Sequence, residues 1–252
     1  MTWDRNGTDC KTMNNTKPQK LLNAGNSKTV KGEKLGWMTF GLHLAPFNLS
    51  GKNVCANASA GCAAACLNTA GRGAMSNVQN ARIAKTQNFF ADRTAFTWQL
   101  AKEIGNAIKL ASKKGMKPCF RLNLTSDLPW ENIKVESHGK KLSLLEMYPD
   151  VQFYDYTKSF PRMIAYLKSE MPKNYHLTFS RSECNEEKVC MIVKLGGNVA
   201  AVFRNKFPKM WKDSEVVNGD ETDLRFLDGQ NKIVGLLQKG LAKKDSTGFV
   251  IG

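Results

Sequence analysis

The sequence predicts an α/β protein: a partial (β/α) barrel over residues 35–252, forming a single metal-binding domain behind an irregular lead-in at 1–34. Three observations lead there. From residue 117 to residue 206, stretches of period-two hydrophobicity alternate with helical stretches, the pattern of parallel strands with helices packed outside them. A loop holding three cysteines follows the first strand, and each later strand ends in polar and charged residues. A closed barrel of eight units takes about 250 residues, and much of this chain is used otherwise, so the barrel is expected to be open.

Residues 1–34 are rich in Asn, Thr, Lys and Gly and poor in apolar side chains, which predicts irregular structure. LGWMTFGLHLAP, at 35–46, is short, apolar and aromatic and is stopped by Pro46, so it reads as the first strand. His43 near its end is either structural or a metal ligand. From Asn77 to Lys114 the spacing is helical, with Trp98, Ala101, Ile104 and Ile108 on a core stripe. Asp92 is placed to cap a second helix within this stretch, and Gly115 ends it. CFRLNLTSD (119–127), VQFYDYTK (151–158), YHLTFSRSE (175–183) and NVAAVFRNK (198–206) read as strands. Between them lie helices at 143–148, at 161–170 with Pro161 in the first turn, and at 186–197 with acids first and glycines last. Residues 216–250 are expected to add one or two strands.

The cysteine loop is NVCANASAGCAAACLNTAGRG, residues 53–73, with Cys55, Cys62 and Cys66 in a C-x6-C-x3-C run. Small residues let a backbone wrap closely around a bound object, and thiolates bind zinc and iron–sulfur clusters by preference. Three of them fit a [4Fe–4S] cluster with one iron open, or Zn2+ with a fourth ligand from elsewhere. The alternative is three small buried residues in an Ala-rich turn. The N-terminus is polar and no apolar run reaches transmembrane length, so a reducing cytosol and no membrane are expected. There, seven cysteines point to metal or catalysis rather than disulfides. Cys184, just past a polar strand end, is the candidate fourth ligand; Cys190 and Cys10 are expected to be inert.

A net charge of +15, spread along the chain, favours an anionic partner such as a nucleotide or nucleic acid, or else is a solvated basic surface. The strand ends supply candidate binding residues: Arg121, Asn123, Ser126, Asp127, Asp155, Lys158 and Arg181. Lys158 and Arg181 suit a carboxylate or phosphate, and Asp127 and Asp155 a ribose, amine or guanidinium. Asp220, Glu221, Asp223 and Asp228 are either a divalent-metal site or turn residues paired with Arg225.

The runs CANASAGCAAACLNTAGRG, RLNLTSDLPWE, FYDYTKS, HLTFSRSE, VVNGDETDLRFLD, IVGLLQKG and DSTGFV resemble the bacteriophage "gene product 88" family from about residue 35 onward. That resemblance implies a phage-encoded protein in the cytoplasm of the infected bacterial host, and it supplies no reaction. A looser likeness is to radical S-adenosylmethionine enzymes, which are TIM-barrel-like partial barrels with three cluster-binding cysteines after the first strand. It implies that Cys55, Cys62 and Cys66 hold the cluster and that its open iron binds S-adenosylmethionine. The spacing here differs from that superfamily's C-x3-C-x2-C, and Thr125-Ser126-Asp127 stands where a Gly-Gly-Glu signature is usual. Two functions follow: a radical or redox iron–sulfur enzyme with an anionic substrate, or a non-enzymatic, metal-stabilised nucleic-acid-binding protein. A magnesium hydrolase using residues 220–228 has the least in its favour.

Overall fold

A computed structural model of the chain describes residues 19–25, 29–137 and 139–252. Residues 1–18, with Cys10, and 26–28 of the expected lead-in lie outside the described residues. The rest of that lead-in is not irregular throughout. Strand β1 (Leu22–Asn23) pairs antiparallel with β2 (Trp37–Leu42), and a 3-10 segment at Thr29–Leu35 connects them. Leu21 and Leu22 enter the core, and Glu103 accepts hydrogen bonds from both backbone N–H groups.

After β2 come the short helix α1 (Ala60–Ala64) and the helices α2 (Ser76–Ala91) and α3 (Arg93–Lys113). The break falls at Asp92, whose side chain accepts from the Ala95 N–H at 2.9 Å and caps α3. Gly115, at φ +65°, turns the chain out of α3. Leu100, Ala101 and Ile104 are buried, but Trp98 is 41% exposed: it sits on the solvent flank of the stripe rather than in the core.

β3 (Lys117–Arg121) is shorter than expected, because Asn123 folds residues 123–128 into a loop. Its Oδ1 accepts from the Leu128 N–H and from Ser126 Oγ, and its Nδ2 donates to Leu128 O. The lysine-rich stretch that follows is a hairpin of β4 (Lys134–Ser137) and β5 (Lys140–Ser143). Helix α4 (Leu144–Met147) then starts in a capping box of Ser143 and Glu146. The expected alternation continues as β6 (Gln152–Thr157), α5 (Phe160–Leu167), β7 (Tyr175–Ser180), α6 (Glu186–Lys194) and β8 (Val199–Phe203). Beyond it lie β9 (Met210–Trp211), β10 (Ser214–Asn218), β11 (Ile233–Leu237) and β12 (Val250–Ile251).

The result is a mixed α/β fold with a mostly parallel central sheet in the order β1-β2-β3-β6-β7-β8-β11-β10-β9, with β12 also pairing β8. Among the described residues the two ends of the sheet do not pair, so no closed barrel forms. The five strands expected from the sequence, β2, β3, β6, β7 and β8, are parallel and adjacent in chain order. Successive right-handed crossovers in one direction put their helices on one face. There Phe40, Phe120, Phe153, Leu177 and Phe179 pack with residues of α3, α5 and α6 in the main core. The opposite face carries Cys119, Arg121 and Tyr154. It is covered from below by residues 223–227: Leu224 packs on Cys119 and Tyr154, and Phe226 meets Trp37 and Tyr154 edge-on. No helix of the described residues is long and apolar enough to cross a membrane.

Candidate functional site

Parallel strands bring all their C-terminal ends to one edge, and a cavity of about 240 Å³ opens there. The cysteine loop crosses this edge. Ser59 caps α1 by accepting from the Cys62 N–H, and Glu183, just past β7, accepts from Ser59 Oγ and the Gly61 N–H, both at 2.7 Å. Gly61 has no room for a side chain: a Cβ there would stand 2.3 Å from Thr247 Oγ1 and 2.9 Å from the Glu183 carboxyl. The downstream half of the loop is tied to α2, where Gln79 and Arg82 hydrogen-bond Asn68. On the far side Ala65 packs against Ala242, Phe249 and Val250, so the loop bridges to the C-terminal segment.

Cys55, Cys62 and Cys66 all line the cavity. So do Arg121, Asn123, Ser126, Asp127, Lys158 and Arg181, together with Tyr156, Lys239 and Phe249. Asp155 does not. It is buried and accepts from the Asn123 N–H and Nδ2 and from Tyr175 Oη, so its carboxyl is engaged within the fold behind the cavity lining. Cys184 is exposed, 3.6 Å from Ser182 Oγ and away from the cavity, because Glu183 is the residue of that turn that faces the cysteine loop. It is therefore not placed as a fourth ligand. His43 does not line the cavity either.

The cavity's carboxylates are engaged. Asp127 accepts from Arg162 at 2.6 Å and from the Lys158 N–H at 2.9 Å, and Asp220 pairs with Lys239. Arg162 also forks onto Glu131, at 2.7 and 2.9 Å, and donates to Tyr175 Oη. Arg121 pairs with Asp223 at 3.0 Å and lies over the Tyr156 ring. Asp228 pairs with Arg225. Asp220, Asp223 and Asp228 of the acidic segment thus serve ion pairs, and among the described residues no group of three acids stands together for one metal ion. Lys158 differs: it donates to neutral Ser180 Oγ at 2.6 Å and lies 5.5 Å from the Phe249 ring centre, and no described carboxylate pairs with it. Arg181 reaches Glu186 at 3.1 Å and the Phe249 carbonyl at 2.9 Å.

Burial pushes the Cys55 thiol up to about 11 and raises Cys66 as well. Burial thus disfavours the thiolate form at both residues. Among the described residues no three His, Cys, Asp or Glu side chains stand together in the geometry of a single metal ion. Arg162, Glu183, Lys239 and Phe249 were not singled out from the sequence. Their partners lie far along the chain, and only long-range packing reveals them.

Two half-buried histidines and one buried acid set a pH dependence. Burial, with Arg82, Lys85 and Arg121 nearby, lowers His43 to about 3; burial and Arg225 lower His176 to about 4. Burial raises Asp155 to about 7, despite Arg121 and the Asn123 N–H. Near pH 5.5 the unfolded chain therefore holds two histidine protons that the fold lacks, and the fold holds one carboxyl proton that the unfolded chain lacks. The unfolded state binds about one proton more, so stability is expected to fall as pH drops from about 6.5 to about 4.5. Urea midpoints across that range check this; a flat or rising profile contradicts it.

No curated protein and no solved structure matches the chain, so the likeness to radical S-adenosylmethionine enzymes gains no support from either comparison. A family match does exist, to "Gene product 88", and it runs over residues 13–252. Covering nearly the whole length, it places this chain in the bacteriophage gene product 88 family.

Proposed function

We propose that the chain is an iron–sulfur protein of the phage-infected cytoplasm, leaning towards an enzyme, with a [4Fe–4S] cluster held by Cys55, Cys62 and Cys66. The observation that carries this is that all three cysteines line one cavity at the C-terminal edge of a parallel sheet, beside Lys158 and Arg181. Strands in sequential order with their helices on one face also fit a partial (β/α) barrel.

Thiolates take iron–sulfur clusters and zinc alike. Three of them on one cavity fit a cluster with one iron open or zinc with a fourth ligand, although among the described residues no group of three His, Cys, Asp or Glu stands ready for a single metal ion. When bound, the cluster would supply redox or radical chemistry. The chain's own residues would orient an anionic ligand, a nucleotide or nucleic-acid end, with Lys158 as the unneutralised cation and Arg181 and Arg121 beside it. Acid–base hydrolysis fits poorly, since Asp127 and Asp220 are both ion-paired.

The cavity, at about 240 Å³, is smaller than the roughly 300–1,000 Å³ of ligand pockets in general. Admitting S-adenosylmethionine at an open iron would therefore require the cavity to widen. The test is electron paramagnetic resonance of reduced, anaerobically purified protein, with and without S-adenosylmethionine. A cluster signal altered by the additive supports an open iron and an enzyme. An unaltered cluster signal moves the account to structural or electron-transfer use. The second reading, a metal-stabilised nucleic-acid-binding protein without catalysis, is favoured by the net charge of +15.

A further inference from the structure

We propose that the rim of the cavity binds single-stranded nucleic acid, with phosphates on Lys52, Arg72, Lys206, Lys243 and Lys244 and a base stacked on Phe47. This rests on the reading of the cavity edge as an anion-binding face, and it does not depend on which metal the cysteines hold.

The first observation is uncompensated charge. Lys52 and Arg72 lie in the loop after β2, Lys206 follows β8, and Lys243 and Lys244 follow β11, so all five belong to the same edge of the parallel sheet. The packing of Ala65 on Ala242 draws the cysteine loop and the 240–244 turn together across that edge. All five cations are exposed, and none has an ion-pair partner among the described residues. Most acids of this edge are engaged: Glu183 by Ser59 and Gly61, Glu186 by Arg181 and Lys212, Asp220 by Lys239, and Asp245, beside Lys244, by Thr247 Oγ1 and the Val250 N–H; Glu221 is the exposed acid set against the five cations. The balance of exposed charge around the mouth is positive.

The second observation is Phe47. It follows Pro46, which lines the cavity, and it is 39% exposed with φ +48°. A bulky side chain rarely adopts a left-handed backbone. Here the ring is not fully buried in return, and strain held without a packing reward clusters at binding sites. Exposed rings beside a cationic track are how proteins hold single strands without reading sequence, since every base has a face to stack. A duplex would use the cations and leave the ring idle. An anionic bilayer calls for an amphipathic helix to insert, and this rim is made of loops and short 3-10 turns.

The test is fluorescence anisotropy of the full chain with a labelled oligothymidylate of about 20 nucleotides, from about 50 to about 200 mM salt. Five phosphate contacts predict a log–log salt slope of about −3.5. The triple variant Lys206→Glu/Lys243→Glu/Lys244→Glu is expected to reduce that slope by about 2 and to weaken binding more than tenfold at the lower salt. Phe47→Ala is expected to weaken binding about tenfold at unchanged slope, and Phe47→Trp to restore it. All of these side chains are exposed, so unchanged melting curves will show that the fold is intact. The proposal is overturned if the oligonucleotide does not bind, if the triple variant or Phe47→Ala binds as the parent does, if a duplex of equal length binds as tightly, or if only phosphatidylserine vesicles bind. Metal content of the same samples separates the two readings. Metal without oligonucleotide binding removes this inference alone; rim-dependent binding without metal removes the metal centre alone.

Discussion

Replacing Arg162 with methionine is expected to destabilise the fold by about 3–5 kcal/mol, the cost of leaving buried charges without a partner. Arg162 stands in the first turn of α5, and its side chain is about nine-tenths buried. It satisfies Asp127 from β3's loop, both oxygens of Glu131, and the Tyr175 hydroxyl of β7, which in turn donates to Asp155. Methionine matches much of the volume and none of the five donors, so two carboxylates would be stranded in a dry site. The damage would reach the cavity. The Asp127 N–H donates to Val54 O, beside Cys55, and its carboxylate holds the Lys158 N–H. Arg162→Lys should recover only part of the loss, because an ammonium cannot fork onto Glu131 and reach Asp127 together. Urea unfolding measures both variants. A loss under about 1 kcal/mol for Arg162→Met would show that the network contributes no more than a surface pair.

The second large effect concerns the cysteines. Cys55→Ser, Cys62→Ser and Cys66→Ser are each expected to abolish stoichiometric metal and sulfide, since a hydroxyl is not a usual ligand for either zinc or an iron–sulfur cluster. Cys184→Ser and Cys190→Ser are expected to retain both, because neither side chain lines the cavity. Cys119→Ser should also retain metal. Cys119 is buried against Thr39 on the sheet face opposite the helices, with its thiol pushed up to about 12, and it does not line the cavity either. Elemental analysis and absorption spectra of the six variants decide this. Metal lost equally from Cys184→Ser would mean that the exposed turn swings inward when the centre forms.

The strand and helix alternation from β3 to β8 was legible because hydrophobic period is a local property. Asp92 and Gly115 were legible for the same reason, each carrying a boundary in its own backbone chemistry. The cysteine spacing told what chemistry the loop supports, and strand ends told which side chains share an edge. Other features depended on partners no local pattern reveals. Arg121 and Asp223 are 102 residues apart, and Arg162 is 31 residues from Glu131. Asp155 read as a strand-end ligand group, yet it alternates onto the helix-facing side, where Asn123 and Tyr175 enclose it. The β4–β5 hairpin was hidden because lysines dominate its exposed positions, and Trp98 because helical spacing does not say how far the buried stripe extends.

Iron, zinc and acid-labile sulfide analysis of the full chain purified without oxygen tests the central claim most directly. About four irons and four sulfides per chain are expected, lost together in Cys66→Ser. One zinc and no sulfide, or no metal at all, would contradict the iron–sulfur centre.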